Sequence, residues 1–165
     1  MSSDALSVKK FTEESSGVMC PVNPIAMDQT SVKFIIRMIL SELDELACTV
    51  TANDKERDDF MQECLNTRDK CTEFQYECGA ELIGAQFDAL VDSWYYSLNC
   101  AAKHGTNMSN IFDIVHQANM NKRDPTTGQF IRRSDGKVIK PAVWQSPDIT
   151  AEIQRQMDKG SWTGF

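Results

Sequence analysis

Long hydrophobic runs are missing from this 165-residue chain. Its best apolar stretch, Phe34–Leu40, is interrupted by Arg37 and falls far short of the ~20 residues that a membrane span needs. The first residues carry Asp4, Lys9, Lys10, Glu13 and Glu14 without an apolar core, so they do not read as a secretory signal. The expectation is a cytoplasmic protein. Gly-x-Gly-x-x-Gly and Walker patterns are absent, as are internal repeats and low-complexity segments. No Cys-x-x-Cys occurs either, and six cysteines without a signal sequence read as reduced thiols. Cys64, Cys71 and Cys78 recur every seven residues. On one helix that step is about 10.5 Å of rise, too far for a shared zinc ion, so they read as small residues on a packed helical stripe.

What is present is ordinary globular composition, with 41% apolar and 25% charged residues. A chain of this length makes one domain and buries roughly two-thirds of its unfolded surface. The net charge of −7 is unevenly spread. Between Glu42 and Asp92 there are fourteen acidic residues against Lys55, Arg57, Arg68 and Lys70. From residue 93 onward nine basic residues outnumber six acidic ones. An acidic middle does not suit nucleic acid, and no nucleic-acid partner is expected. It suits cations, and the basic segment behind it suits an anion that such cations accompany.

Residues 1–30, Ser-rich and then containing Pro21 and Pro24, read as an N-terminal arm, and 31–165 as a single helical domain. Ser31 is the expected cap of a helix of about twenty residues, on which Val32, Ile35, Ile36, Ile39, Leu43, Leu46 and Val50 share one face. Asn53-Asp54 ends it and starts a more polar helix. A third helix is expected over Glu73–Lys103, where Phe74, Leu82, Phe87, Leu90, Val91, Trp94, Tyr95 and Leu98 keep helical spacing before the stop at His104-Gly105. Ser109 caps a short helix to about Met120. Asp124–Gly128 is a turn cluster, and Asp135-Gly136 between β-formers predicts a small C-terminal β-hairpin. Pro147-Asp148 opens a last short helix that Gly160 closes. The fold class is all-α, a helical bundle with one small hairpin.

Glu42 and Glu45 lie three apart on the first long helix, and Asp88 and Asp92 four apart on another, so each pair shares a helical face. Leu43 and Leu46 flank one pair, and Phe87, Leu90 and Val91 the other. If those apolar stripes pack together, four carboxylates converge, which is costly unless a cation neutralises them. All candidate ligands are oxygen, so the cation is hard: Mg²⁺ or Mn²⁺. Either pair alone also suits an ordinary solvated helix face. A di-iron bundle is set aside because it needs Glu-x-x-His, and neither His104 nor His116 has that spacing.

The paired motifs Glu42-Leu-Asp-Glu45 and Asp88-Ala-Leu-Val-Asp92 resemble those of the all-α NTP pyrophosphatase superfamily. The later segments Val115-His116-Gln117-Ala118-Asn119-Met120-Asn121-Lys122, Asp135-Gly136-Lys137-Val138-Ile139-Lys140-Pro141 and Trp144-x-x-Pro147-Asp148-Ile149 resemble its MazG-like, phosphoribosyl-ATP-pyrophosphohydrolase-like branch. The resemblance covers roughly residues 30 to 150. It departs from the family pattern at Ala89, where a Glu is usual, and at Ser41.

The resemblance implies a Mg²⁺-dependent hydrolase that cuts a nucleoside triphosphate between its α- and β-phosphates, serving the nucleotide pool. Glu42, Glu45, Asp88 and Asp92 would be the metal ligands, with Glu42 and Glu45 catalytic and Glu45 taken as the general base. Asn119, Lys122, Lys137, Lys140 and His116 would bind the substrate, Lys122 as a point charge on phosphate. Lys122 and Arg123 equally suit a helix C-terminus, and His116 a structural role. Trp94, Tyr95 and Tyr96 read as core or subunit-interface aromatics. Two long helices and a short one leave a seam uncovered, so a homodimer or tetramer is expected. The alternative is a nucleotide- or metal-binding module of the same fold, its turnover weakened by the change at position 89.

Overall fold

The computed structural model describes residues 3–72, 79–134 and 137–162, and among them the regular structure is entirely helical. Six helices follow in order: α1 (Ser3–Ser16), α2 (Gln29–Cys48), α3 (Asp54–Thr67), α4 (Ala80–Lys103), α5 (Met108–Met120) and α6 (Ile149–Lys159). Contacts divide the chain into two compact units. One joins Met1–Asn23 to Val91–Phe165, and the other is Pro24–Leu90.

Within Pro24–Leu90, α2 and α3 pack as a helical pair whose ends are set by capping. The Asp28 carboxylate accepts the Ser31 N–H at 2.7 Å, so α2 starts two residues before the expected Ser31 cap. Asn53 caps α3 by accepting the Glu56 N–H at 3.0 Å, and the Glu56 carboxylate returns to the Ala52 N–H at 2.9 Å, a reciprocal closure of the first turn. Arg57 on α3 ties the pair together through Asp44 on α2 (3.3 Å) while also pairing with Asp54 and Asp58. Gln86 on α4 holds the extended Met27 backbone with both ends of its amide, accepting from the N–H at 2.7 Å and donating to the carbonyl at 2.9 Å.

In the other unit α5 is the central element, packed against both α1 and α6. Residues 1–30, expected to be an arm, therefore include a helix; Gly17 ends it in the left-handed region (φ 70°) that glycine adopts freely. The Phe11 and Phe130 rings meet edge to face at 5.5 Å, and Arg123 pairs with Glu14 of α1. Asn107, not Ser109, caps α5. Asp148 and Gly160 bound α6 as expected. A buried polar network joins α5 to α6. The Gln156 amide accepts from the Asn107 N–H (2.9 Å) and donates to the Asn107 carbonyl (3.0 Å) and to Glu152 (2.9 Å). Arg155 and Asn110 complete it by donating to the Glu152 carboxylate.

The C-terminal hairpin is present only as isolated pairing. Arg132 bridges Val138, with Ile139 N–H donating to Ile131 at 2.7 Å and Arg133 N–H to Lys137 at 2.9 Å, but no strand or sheet forms among the described residues. Its expected turn, Asp135-Gly136, lies outside the described residues, as do Glu73, Phe74 and Cys78. The packed cysteine stripe is corrected as well. Cys64 lies near the end of α3 and Cys71 beyond it, both exposed thiols.

The chain leaves much apolar surface uncovered. Ala47, Ala118 and Met120 are the buried hydrophobic residues among those described, whereas Leu43, Leu46 and Val50 on α2 and Trp94, Tyr95 and Tyr96 on α4 are exposed. No helix of the described residues is long and apolar enough to cross a membrane.

Candidate functional site

The acidic residues of α2 and α3 divide into two kinds. Asp44, Asp54 and Asp58 surround Arg57, whose guanidinium is pushed up by its hydrogen bond to Asp58 first, then by Cys48 and the Asp44 charge, and Asp59 pairs with Lys55 at 2.5 Å. Glu42 and Glu45 have no such partner. Both are exposed on α2, one helical turn apart, with no hydrogen bond or ion pair to their side chains among the described residues. Asp88 and Asp92 on α4 share that condition, also exposed and one turn apart.

Carboxylate oxygens, exposed and free of protein cations, fit a hard divalent cation chemically. They are present as two pairs. No group of three or more His, Cys, Asp or Glu able to hold a metal is found among the described residues. α2 pairs with α3, and Leu40, Leu43, Leu46, Ala47, Val50, Phe60, Met61 and Leu65 line an open apolar cleft of about 530 Å³ along the two helices.

A second set of candidate residues gathers behind the C-terminus of α5. Lys122 follows the helix and folds back so that its ammonium donates to the Asn119 side-chain oxygen at 2.6 Å. Burial pushes the Lys122 ammonium down, and the nearby Lys140 charge adds to the effect. Trp144 lies beside both lysines: the Lys140 nitrogen is 4.3 Å and the Lys122 nitrogen 5.7 Å from its ring centroid. The indole N–H donates to the Ala118 carbonyl at 2.7 Å, anchoring the ring to the last turn of α5. Lys122, Lys140 and Pro141 face an open cleft of about 410 Å³ walled by Ile131, Ile139 and Val143. Asp124 is in its wall, but one carboxylate oxygen already accepts from the Thr126 and Thr127 N–H groups and the Thr127 hydroxyl, which holds its acidity below the ordinary value.

Of the expected substrate residues, then, Asn119, Lys122 and Lys140 come together. Lys137 is exposed near the Arg132–Val138 bridge and does not line the cleft, and the half-buried His116 stacks on Phe112 at 6.1 Å. Trp144 was not among the expected site residues. Its position in the Lys140-Pro141-x-x-Trp144 segment was the available signal.

The sequence matches no family model and no curated protein. Among solved structures, the chain is similar to one from Exiguobacterium sp. 255-15, described as a "putative NTP pyrophosphohydrolase". The TM-score is 0.74 and the identity 27%, over 95% of this chain and 97% of that one. The fold is all-α, of the NTP pyrophosphohydrolase type. The likeness runs nearly end to end.

Proposed function

We propose that this protein is a Mg²⁺-dependent nucleoside triphosphate pyrophosphohydrolase of the MazG-like kind, with Mn²⁺ as an alternative metal. The observation that carries the reading is the near full-length similarity to the structure described as a "putative NTP pyrophosphohydrolase". It is supported by four carboxylates, Glu42, Glu45, Asp88 and Asp92, that sit in one-turn pairs without protein partners. These four would hold the metal, which when bound neutralises phosphate charge and makes a bound water more acidic. The reaction adds water at the α-phosphorus and releases the β- and γ-phosphates together as pyrophosphate. Glu45 takes the proton of the attacking water, with Glu42 beside it. Lys122 and Lys140 hold phosphate oxygens, and Asn119 orients Lys122 through their 2.6 Å hydrogen bond. Lys137 and His116 stand further from that cleft and are assigned supporting substrate contacts.

The exposed apolar faces of α2 and α4 support a homodimer or a tetramer as the working form. The free thiols of Cys20, Cys48, Cys64 and Cys100 suit a reducing, cytoplasmic setting.

The decisive experiment is pyrophosphate release from a panel of NTPs and dNTPs with Mg²⁺ or Mn²⁺, beside the Glu42→Gln, Glu45→Gln double variant. Turnover that falls at least 100-fold in the variant supports the reading. A second reading, a nucleotide- or metal-binding module without turnover, is favoured by Ala89 on α4 and by the lack of a three-carboxylate group among the described residues. Absence of turnover with every nucleotide and metal would select it.

A further inference from the structure

The geometry points to Trp144 as the positioning residue of a two-ammonium site for a phosphoanhydride, the pyrophosphate end of the substrate. The identity of the ligand rests on the function proposed above; the site itself rests on observations of its own. Two lysine ammoniums sit against one indole, Lys140 at 4.3 Å and Lys122 at 5.7 Å from the centroid. They can thus be no further apart than the sum of those distances. Like charges gathered this way repel, and no carboxylate among the described residues pairs with either. Neither lysine has an ion pair among the described residues; Lys122 is bound to the uncharged Asn119 oxygen. Asp124, the acidic residue in the cleft wall, already turns one oxygen inward to its own Thr126–Thr127 turn.

The ring is what makes the gathering tolerable. The negative face of an indole attracts cations, and it does so more strongly where water is partly excluded. Its orientation is set by the hydrogen bond from the indole N–H to the Ala118 carbonyl, so the platform is fixed to the same helix end from which Lys122 departs. Burial and the Lys140 charge both disfavour protonation of Lys122, a penalty that an incoming anion relieves. Two point-charge donors on separate stems suit oxygens on two linked phosphoryl groups better than the single group of orthophosphate.

The test uses inorganic pyrophosphate and orthophosphate as probes, titrated calorimetrically into the whole protein without metal. Wild type should bind pyrophosphate at least tenfold more tightly than orthophosphate. Trp144→Leu should weaken pyrophosphate at least tenfold. Trp144→Phe, which keeps an aromatic face but loses the N–H, should stay within about threefold of wild type. Lys140→Met, at an exposed position, should match the leucine variant and guards against misfolding of that variant. In turnover assays Trp144→Leu should raise KM about tenfold and change kcat less than threefold. The inference is overturned if wild type does not bind pyrophosphate, if Lys140→Met binds it as wild type does, or if Trp144→Phe is as weak as Trp144→Leu. The last result would make the residue merely a structural anchor. Pyrophosphate binding with the expected variant pattern but no turnover on any nucleotide would leave this site standing and refute the enzymatic reading instead.

Discussion

Replacing Gln156 by methionine keeps the side-chain length and removes an amide that is 4% exposed and makes three hydrogen bonds. The magnitude follows from what is left behind. Asn107 is 2% exposed, and its N–H, which donates to Gln156, would lose its acceptor inside the protein. An orphaned buried donor costs about 1–3 kcal/mol. The Asn107 carbonyl likewise loses the Gln156 N–H that it accepts at 3.0 Å. The bond to Glu152 adds about 0.5–1.5 kcal/mol. Gln156→Met should therefore destabilise by about 2–4 kcal/mol, which for a chain of this size lowers Tm by roughly 5–15 °C. Gln154→Met, on the exposed side of α6 where the amide donates only to Asp158, should change stability by less than about 0.5 kcal/mol. Urea unfolding of the three proteins measures the difference, and amide hydrogen exchange locates it. The Asn107 amide should lose protection in Gln156→Met alone. Equal small losses in both variants, or an Asn107 amide that stays protected, would refute the idea that this network fastens α6 to α5.

Glu152 extends that network to pH. Hydrogen bonds from Arg155 first, and then from Gln156 and Asn110, hold its carboxyl down to about 2 from an ordinary value of 4.5. The unfolded chain thus takes up the proton first as acid is added, so this contribution is full above pH 4.5 and disappears as the pH falls toward 2. Urea midpoints at pH 6, 4 and 3 should fall less steeply for Glu152→Gln than for wild type; identical slopes would refute the assignment. For the oligomer, light scattering at micromolar concentration should give at least twice the 18.6 kDa chain mass. Trp94, Tyr95 and Tyr96 alone, 53–72% exposed, leave on the order of 400 Å² of aromatic surface, about half of one partner's share of a standard interface. A strictly monomeric mass would refute it.

The helices were legible because their signals are local. Asn53 and Asp148 cap where the spacing predicts, and Gly160 closes α6. The misassigned caps, Ser31 for Asp28 and Ser109 for Asn107, are errors of two or three residues between side chains that all can accept an N–H. α1 was missed because its apolar residues are few and its packing partner, α5, is nearly a hundred residues away. The hairpin signal, Asp-Gly between β-formers, corresponds to antiparallel pairing of Arg132 with Val138, without regular strands among the described residues. At the candidate site, the one-turn spacing of Glu42 with Glu45 and of Asp88 with Asp92 could be read directly. The Trp144 platform could not, because Lys122 and Lys140 reach the ring only through the path of the turns between them.

The unpaired carboxylates carry more information than their exposure implies, as a comparison with α3 makes clear. On α3, acidic residues alternate with cations at helical spacing: Lys55 reaches Asp59, and Arg57 reaches Asp54. That is how a solvated helix face ordinarily balances its charge. Around Glu42 and Glu45 the positions three and four residues away are Met38, Ile39, Ser41, Leu46, Cys48 and Thr49, and around Asp88 and Asp92 they are Gly84, Ala85, Ala89, Val91, Tyr95 and Tyr96. None is basic. Each carboxylate instead has its acidic partner at that spacing, an arrangement that costs a helix about 0.2–0.5 kcal/mol per pair. A merely solvated face has no reason to carry that penalty twice and to exclude the cations that would remove it. A divalent cation reverses the sign of both terms: the like charges become ligands, and a neighbouring lysine would become a competitor for them.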